Sequence, residues 1–361
     1  MLSSPRLRLT LALALPVLGC AGAESAEPAE PALPELPWAR SAFPEIVVPA
    51  DNPGTPEKLE LGRLLFYDPI LGGDRATACV TCHSEIWGMS DGLPVSVGVD
   101  GEGAVGPGRT GPNLTTRNSQ TLWNVAYRAS LFWDGRAQSL EAQALEPLRA
   151  PAELGLDPAE AVLRLREIEG YRALFTAAFP EEAEPISEAT LAKALASFQR
   201  SMVSERAPYD RYAAGDLGAL SADALLGMQA FADAGCPSCH TPPLFESEQY
   251  ARRIESLDEG RAAVTGEPSE LGAFRVPTLR NLRETGPYFH DGSVASLEEA
   301  VALEARRSAE RGEGAALADE DVARISVFLR KGLVDRTHEP ARPREVPSGL
   351  DVPLDGFRVP R

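Results

Sequence analysis

The sequence predicts a mainly α-helical protein built from two domains. After a Pro-rich N-terminal stretch, about 300 residues remain, which is a length typical of two domains. Much of this remainder carries apolar residues at intervals of three and four, as amphipathic helices do, and no stretch alternates for long enough to form a substantial sheet. The same five-residue pattern occurs once in each half, as CVTCH at 79–83 and CPSCH at 236–240.

Residues 1–20 are typical of an export signal. They begin with Arg6 and Arg8, continue through an apolar segment too short to span a membrane, and end in small residues. The end, VLGC, resembles a lipobox, which would make Cys20 the lipidated first residue of the mature chain. An ordinary signal cleavage nearby is the alternative. We therefore expect a periplasmic protein that is attached to the membrane through Cys20.

The composition of the remaining residues indicates a tether, two helical domains and a tail. Residues 21–56 are rich in Pro, Ala and Glu, cannot bury a core, and predict a semi-extended tether. We expect one helical domain at 57–205 and a second at 206–335, each containing one of the two pentapeptides. Residues 336–361 contain five prolines and no periodicity, which predicts an extended tail on the surface.

Apolar periodicity predicts helices at six places, several of which follow a Ser or Asp that can cap the first turn. The predicted helical stretches are 140–148, 158–179, 186–202, 221–235, 296–307 and 319–333. Residues 84–120 differ from these stretches because they are dense in Gly and Pro, and they predict a long loop.

The pattern C-x-x-C-H is the attachment signal for c-type haem. Two cysteine sulfurs form thioethers to the haem, and the histidine supplies an iron ligand. Structural zinc is an alternative, but the two cysteine pairs lie much further apart than the roughly 15–20 residues of a zinc ribbon. A thioredoxin-like dithiol explains one C-x-x-C but neither histidine. We predict two covalent c-type haems, attached at Cys79, Cys82 and His83 and at Cys236, Cys239 and His240.

The chain is acidic, with a formal net charge of −18 at pH 7. Such a charge disfavours nucleic acid as a partner, because phosphates would be repelled. A basic electron-donor protein would be steered towards this chain. The alternative is that the acidity only keeps an exported protein soluble.

Three stretches around the pentapeptides carry a family resemblance: LGRLLFYDPIL, SLFWDGRAQSLEAQALEPL and VPTLRNLRETGPYFHDGSVASLEEAV. Over roughly residues 57–333 the sequence resembles the bacterial dihaem cytochrome c peroxidase and MauG family. The resemblance implies two cytochrome-c-like helical domains, each holding one covalent c-type haem. It also implies that the N-terminal haem reacts with hydrogen peroxide and that the C-terminal haem transfers electrons.

The resemblance further implies roles for individual residues. His83 would be the proximal ligand of the peroxide-reactive haem and His240 that of the electron-transfer haem. Gln143 and Glu153 match the distal-pocket positions, where a carboxylate can move a proton between the peroxide oxygens. Trp133 matches a tryptophan that lies between the haems. Glu153 as a helix-start residue after Pro151, and Trp133 as an ordinary core aromatic, are the alternatives.

The same resemblance implies a calcium ion at the domain junction. Asn118, Thr285 and Pro287 match the residues that bind it, partly through backbone carbonyls, and oxygen donors are what calcium prefers.

The sequence departs from the peroxidase pattern at two positions. Val99 stands at or near the place of a loop histidine that caps the resting peroxide-reactive haem in many of these enzymes, so we expect an open first haem. Glu304 stands where the peroxidases have a methionine ligand of the second haem. The resemblance to MauG makes His290 the leading candidate for that ligand. The alternative is that His290 is a structural hydrogen-bonding residue and that Glu304 or water ligates the iron.

Three functions remain open. The first is a peroxidase that takes electrons from a small periplasmic cytochrome c or cupredoxin. The second is a MauG-like oxidase that modifies a Trp or Tyr side chain of a partner protein. The third is a plain dihaem electron carrier, which would give Gln143 and Glu153 no role.

Overall fold

The structure is a computed structural model that describes residues 42–252, 256–312, 314 and 316–356. The export signal, Cys20 and the tether up to residue 41 lie outside the described residues. Within the described ranges the chain is mainly helical, as predicted, and its sheet content is small. No helix in this part of the chain is both long enough and apolar enough to cross a membrane.

The first half consists of helices joined by long loops. Single turns of 3-10 helix lie at Pro69–Leu71, Glu85–Trp87 and Val125–Tyr127. The α-helices are α1 (Pro56–Tyr67), α2 (Cys79–Cys82), α3 (Leu140–Ala144), α4 (Glu146–Arg149), α5 (Pro158–Glu167), α6 (Glu169–Ala178) and α7 (Glu188–Arg200).

The predicted helical stretch 158–179 is interrupted. Ile168 is extended, with φ −94° and ψ 115°, and its N–H returns to the carbonyl of Leu165. It therefore ends α5 and begins α6. Both helices keep their apolar faces on the core, so the pattern of apolar residues does not reveal the break.

The second half has the same character. Its 3-10 turns are Cys236–Ser238, Pro268–Glu270 and Leu282–Glu284, and a π-helical turn, Phe328–Gly332, follows its last helix. Two short antiparallel strands, with Tyr250 opposite Arg275, form the sheet. The regular elements are α8 (Pro208–Ala213), α9 (Ala222–Asp233), β1 (Tyr250–Arg252), α10 (Ala262–Thr265), β2 (Ala273–Arg275), α11 (Leu297–Glu310) and α12 (Asp319–Val327).

Helix starts follow the expected capping chemistry. The side chain of Thr55 accepts from the N–H of Lys58, and Pro56 occupies the first position of α1, where its missing N–H costs nothing. A serine hydroxyl accepts in the same way from a first-turn N–H of four further helices. These serines are Ser139, Ser187, Ser221 and Ser296, at the starts of α3, α7, α9 and α11.

Two hydrophobic clusters lie along the chain. One extends from Leu61 to Met202 and includes Val346, and the other extends from Tyr209 to Leu333. In the first, α1 crosses α7 so closely that a Cβ on Gly62 would lie 2.1 Å from a backbone oxygen of α7. In the second, a Cβ on Gly227 of α9 would lie 2.0 Å from a backbone oxygen of α12. The expected domain boundary at residue 205 stays a prediction.

Backbone features recur at the spacing of the two pentapeptides, which is 157 positions (236 − 79 = 157). Asn124 and Asn281 both have a left-handed backbone, with φ of 63° and 59°. Phe132 and Phe289 repeat this at φ of 69° and 71°. Bulky residues adopt such angles only where the surrounding structure enforces them. The two halves therefore share one local architecture.

The repeated segments also contact each other reciprocally. The N–H of Asn118 donates to the carbonyl of His290 at 2.7 Å, and the N–H of Arg275 donates to the carbonyl of Trp133 at 2.8 Å. Asn118 and Arg275 are equivalent positions of the repeat, and so are Trp133 and His290. Equivalent hydrogen bonds thus join the FWDG and YFHDG segments to the opposite half.

The described part of the tail, residues 336–356, lies against the first half without forming a helix or strand of its own. Arg342 forms ion pairs with Glu85 at 2.8 Å and with Asp355 at 2.6 Å. Asp355 also accepts from the hydroxyl of Ser84, the residue that follows His83. The tail is therefore fastened directly beside the first pentapeptide.

Candidate haem sites

The first pentapeptide lies at the wall of a cavity. Cys79 begins α2, and the helix start is supported by Thr81, whose hydroxyl accepts from the N–H of Ala78. Cys82 and His83 line the cavity, which has a volume of about 460 Å³. Cys79 lines a smaller adjoining cavity together with Cys82 and His83, so two thiols and an imidazole face the same space, as covalent haem attachment requires.

The ring of His83 is held by the backbone. Its Nδ1 lies 3.0 Å from the carbonyl oxygen of Met89 and 3.2 Å from the hydroxyl of Ser119. A ring nitrogen engaged in this way fixes the orientation of the imidazole, which is how proteins position metal-ligating histidines.

The second pentapeptide repeats this arrangement. Cys236, Cys239 and His240 line a second cavity. Nδ1 of His240 lies 3.1 Å from the carbonyl oxygen of Phe245. Met89 and Phe245, which provide the two carbonyls, both have positive φ, 62° and 53°. In each half, a residue with a left-handed backbone five or six positions after the histidine therefore presents its carbonyl to the imidazole.

Burial disfavours the thiolate form of three of the four motif cysteines. Burial raises the pKa of Cys79 to about 12 and that of Cys236 to about 12, and it raises the pKa of Cys82 as well. Reactive cysteines and metal thiolates need a lowered pKa. Cys79, Cys82 and Cys236 therefore lack the lowered pKa that a thioredoxin-like dithiol needs.

Gln143 and Glu153 both line the first cavity with His83. Oε1 of Gln143 is buried and has no hydrogen-bond partner in the protein. Burial raises the pKa of the Glu153 carboxyl. Glu153 lies in a turn, and the next helix begins only at Pro158, so Glu153 is not a helix-start residue. An unpartnered acceptor and a proton-accepting carboxyl thus face the same space.

Trp133 lies between the two cavities and lines both. Its indole Nε1 donates to the carbonyl of Asn118 at 2.9 Å, and its ring meets that of His290 edge-on with centroids 6.4 Å apart. Five further residues also line both cavities: Asn118, Ser119, Gln120, Thr121 and Arg128. The wall between the two sites is therefore a single layer of residues.

Several known proteins are similar to this chain over most of its length. Residues 56–218 match the family model of the di-haem cytochrome c peroxidase. The methylamine utilization protein MauG of Methylorubrum extorquens is 42% identical over 72% of this chain and 72% of its own length. Cytochrome c551 peroxidase of Pseudomonas aeruginosa is 35% identical, covering 77% of this chain and 79% of its own. The chain belongs to the di-haem cytochrome c peroxidase and MauG family.

A solved structure agrees. A MauG-like protein associated with microbial copper homeostasis superimposes with a TM-score of 0.72 and 32% identity, covering 82% of this chain and 94% of that one. As a member of this family, the chain is a haem oxidoreductase with two c-type haems, and its fold is that of paired cytochrome-c-like helical domains.

The loop that carries Val99 packs against the turn that carries Glu153. The side chain of Val99 is buried against the turn at residues 152–155, where the N–H of Val99 donates to the carbonyl of Glu153 at 2.9 Å. Gly98 lies so close to the same turn that a Cβ there would be 2.1 Å from the carbonyl of Ala152. Among the described residues that line the first cavity, His83 is the only histidine.

His290 and Glu304 both line the second cavity. His290 is buried, stacks on Phe274 with centroids 3.8 Å apart, and has Nε2 3.0 Å from the hydroxyl of Ser256. Glu304, on α11, lies close enough to Cys236 for its charge to contribute to the raised pKa of that thiol. The choice between the two as distal ligand stays a prediction.

The residues of the expected calcium site also meet at the second cavity. Asn118, Thr285 and Pro287 all line it. The side-chain nitrogen of Asn118 donates to the carbonyls of Leu93 at 2.8 Å and Pro94 at 3.3 Å. In the described part of the chain, no group of three or more His, Cys, Asp or Glu residues could hold a metal ion.

The sequence analysis missed two arginines of the second cavity, Arg128 and Arg275. Arg275 belongs to β2 and Arg128 to the loop before FWDG, so neither lies in a recognisable binding motif. Their equivalents in the repeat are Thr285 and Asn118, which are uncharged. Only the folded chain reveals that both arginines reach the same cavity.

Proposed function

We propose that this chain reduces hydrogen peroxide at its first haem site and exchanges electrons with its second. A haem held by Cys79, Cys82 and His83 would supply the redox-active iron at which peroxide is reduced. The observation that supports this site most strongly is the presence of Gln143 and Glu153 in the same cavity as His83.

The two distal residues have complementary chemistry. Peroxide cleavage needs a proton moved from one oxygen to the other, and a carboxyl does this best when its pKa is near the working pH. Burial raises the pKa of Glu153 in that direction. The buried Oε1 of Gln143 can accept a hydrogen bond from the peroxide O–H. Glu153 thus carries the proton while Gln143 orients the substrate.

The second haem would be attached at Cys236 and Cys239, with His240 as its proximal ligand. His290 remains our candidate for the distal ligand, and Glu304 on the same cavity is the alternative. Ligation through Nε2 of His290 would replace its hydrogen bond to Ser256. Trp133, in the wall between the cavities, is the side chain through which electrons would pass.

Mixing the fully oxidised protein with peroxide in a stopped-flow spectrometer tests the proposal. Because no histidine stands at Val99, we expect an immediate change in the haem absorption without prior reduction. Gln143→Leu should slow this change, and Gln138→Leu, at an exposed position outside the cavity, should not. A reaction that requires prior reduction, or that is unaffected by Gln143→Leu, would contradict the proposal.

A MauG-like oxidation of a Trp or Tyr on a partner protein is the second candidate. It is favoured by the valine at position 99 and by the 42% identity to MauG. Turnover of peroxide with a reduced small cytochrome c or cupredoxin would indicate the peroxidase. A peroxide-dependent mass change in a co-expressed partner, with little cytochrome oxidation, would indicate the oxidase.

Because the chain has a net charge of −18, we expect an electron donor with a basic surface and a rate of electron transfer that falls as salt is added.

Two further features belong to the proposal. Calcium would bind through Asn118, Thr285 and Pro287, so a chelator should slow electron exchange between the haems, and added calcium should restore it.

Cys20 would anchor the chain to the membrane in the periplasm, so Cys20→Ser should move the protein from the membrane fraction to the soluble fraction. Unchanged fractionation would remove the anchor from the proposal.

A further inference from the structure

Arg275 is a fully buried cation at the wall of the second cavity. Its side chain is 0% exposed, and it lines the cavity together with Cys239 and His240. All three guanidinium nitrogens, Nε, Nη1 and Nη2, are buried without a hydrogen-bond partner in the protein. Buried polar groups are almost always hydrogen-bonded, so three unpartnered donors on one side chain indicate a ligand.

The negative charges around Arg275 do not neutralise the positive charge of its guanidinium. Arg128 donates from Nε to Glu246 at 3.0 Å, and both side chains are almost fully buried. Arg275 reaches the same carboxylate only at 3.7 Å, and Glu248, which is half exposed, only at 3.9 Å. Two buried guanidinium groups therefore share one buried carboxylate.

The pKa of Arg275 responds to this imbalance. Burial and the nearby charge of Arg128 together lower the pKa of Arg275 to about 10, against the opposing effects of Glu246, Glu248 and Tyr250. A guanidinium this poorly compensated is costly to bury unless an anion completes its surroundings. The remaining side open to such an anion is the cavity.

We propose that Arg275, supported by Arg128, binds a propionate carboxylate of the second haem. A guanidinium offers paired N–H donors whose geometry matches a carboxylate, and pairing would satisfy the donors that the protein leaves unpartnered. The inference rests on the proposed attachment of the second haem at Cys236 and Cys239. The equivalents of Arg275 and Arg128 in the repeat, Asn118 and Thr285, carry no charge, and Arg275 does not line the first cavity, so we assign this contact to the second haem.

The pairing has an electrochemical consequence. A propionate held by Arg275 stays ionised, because the adjacent cation lowers its pKa. Without Arg275 the propionate would take up a proton near neutral pH. Ionisation with rising pH would then stabilise the ferric haem and lower the reduction potential. The groups that face this contact are Arg128, Glu246, Glu248 and Tyr250.

The test is a spectroelectrochemical titration of the second haem at several pH values. In the natural protein we expect a potential that changes little across neutral pH. Arg275→Gln should make the potential fall as pH rises, and Arg275→Lys should keep most of the pH independence. Arg166→Gln, which removes a half-exposed cation of the first half, is the matched control and should behave like the natural protein.

Two measurements distinguish an error in the proposed haem attachment from an error in the propionate assignment. A pyridine haemochrome assay must give two haems per chain in each variant, because one haem would mean that the attachment itself is wrong. Inorganic phosphate should leave the potential of the natural protein unchanged, since the arginine is already paired. A saturable response to phosphate that disappears in Arg275→Gln would identify a free-anion site and overturn the propionate assignment. An Arg275→Gln protein with the natural pH profile would overturn it too.

Discussion

The two halves of the chain repeat one local architecture and differ where they face their cavities. Each half has a pentapeptide whose histidine is bonded to a backbone carbonyl, and a left-handed phenylalanine before the DG turn. Yet Trp133 is matched by His290, Gln143 by Ala300, and Asn118 by Arg275. The backbone therefore builds two similar sites, and a few side chains make the two cavities chemically different.

The two cavities differ in the chemical groups that line them. The first cavity holds groups that can bind and protonate a small substrate, namely the amide of Gln143 and the carboxyl of Glu153. The second cavity lacks both of these residues, although the carboxyl of Glu304 lines it. Arg275 lines this cavity only, and it adds a second buried guanidinium to that of Arg128, which lines both cavities. Substrate chemistry needs proton donors and acceptors, whereas electron transfer needs a fixed electrostatic environment that does not change with each turnover.

Substitution of either proximal histidine should have the largest effect, and the effect should differ between the two halves. We expect His83→Gly to abolish the reaction with peroxide, because the reactive iron loses its protein ligand. His240→Gly should preserve that first reaction and block electron delivery to the first site. Both variants keep their cysteines, so both should retain two haems. Stopped-flow absorption with added imidazole, which can replace the missing ligand, measures the effect and its rescue. If His240→Gly alone lost the peroxide reaction, the two roles would be reversed.

Glu153 should give the next largest effect. Loss of a general acid–base costs about 10²–10⁴ in rate, so Glu153→Gln should slow peroxide cleavage by that factor. In the natural protein the rate should fall as pH falls through the pKa of Glu153, because the protonated carboxyl cannot accept the first proton. Burial raises this pKa, so the fall should begin above the usual carboxyl range of about 4.

The repeat provides a control for that experiment. Glu310 is the equivalent residue of the second half and lies exposed at the end of α11. Glu310→Gln should keep both the rate and the acidic limb of the pH profile. An acidic limb that persists in Glu153→Gln would assign the proton transfer to another group.

Much of this architecture could be predicted from the sequence. The pentapeptides indicated two haems because the motif is local and chemically specific, and six helical stretches were found because apolar periodicity is also local. The break at Ile168 was missed because the apolar pattern continues through it. Arg275 was missed for a different reason: its meaning depends on Arg128 and Glu246, which come close only after folding.

Trp133 should have a smaller effect, confined to communication between the halves. Trp133→Phe removes the indole donor that holds Asn118 at 2.9 Å and shortens the aromatic system in the shared wall. We expect slower electron exchange between the haems, a loss of about 0.5–1.5 kcal/mol in stability, and an unchanged first reaction with peroxide. Trp38→Phe, in the segment outside the described residues, is the control. A change in the peroxide step itself would place Trp133 in the distal chemistry.

Substitution of Arg342 in the tail should have the smallest effect, a loss of stability confined to the first half. Arg342 contacts Glu85 and Asp355 in a mostly buried network beside His83. Arg342→Ala leaves two carboxylates without their cation, so we expect a loss of about 1–3 kcal/mol from the first half. Arg330→Ala removes an exposed pair with Glu298 in the second half and should cost at most about 1 kcal/mol. Thermal unfolding followed by the absorption of each haem measures both. Equal melting of the two haems in Arg342→Ala would show that the tail stabilises the whole chain, since a local clamp must act first on the haem attached at Cys79 and Cys82.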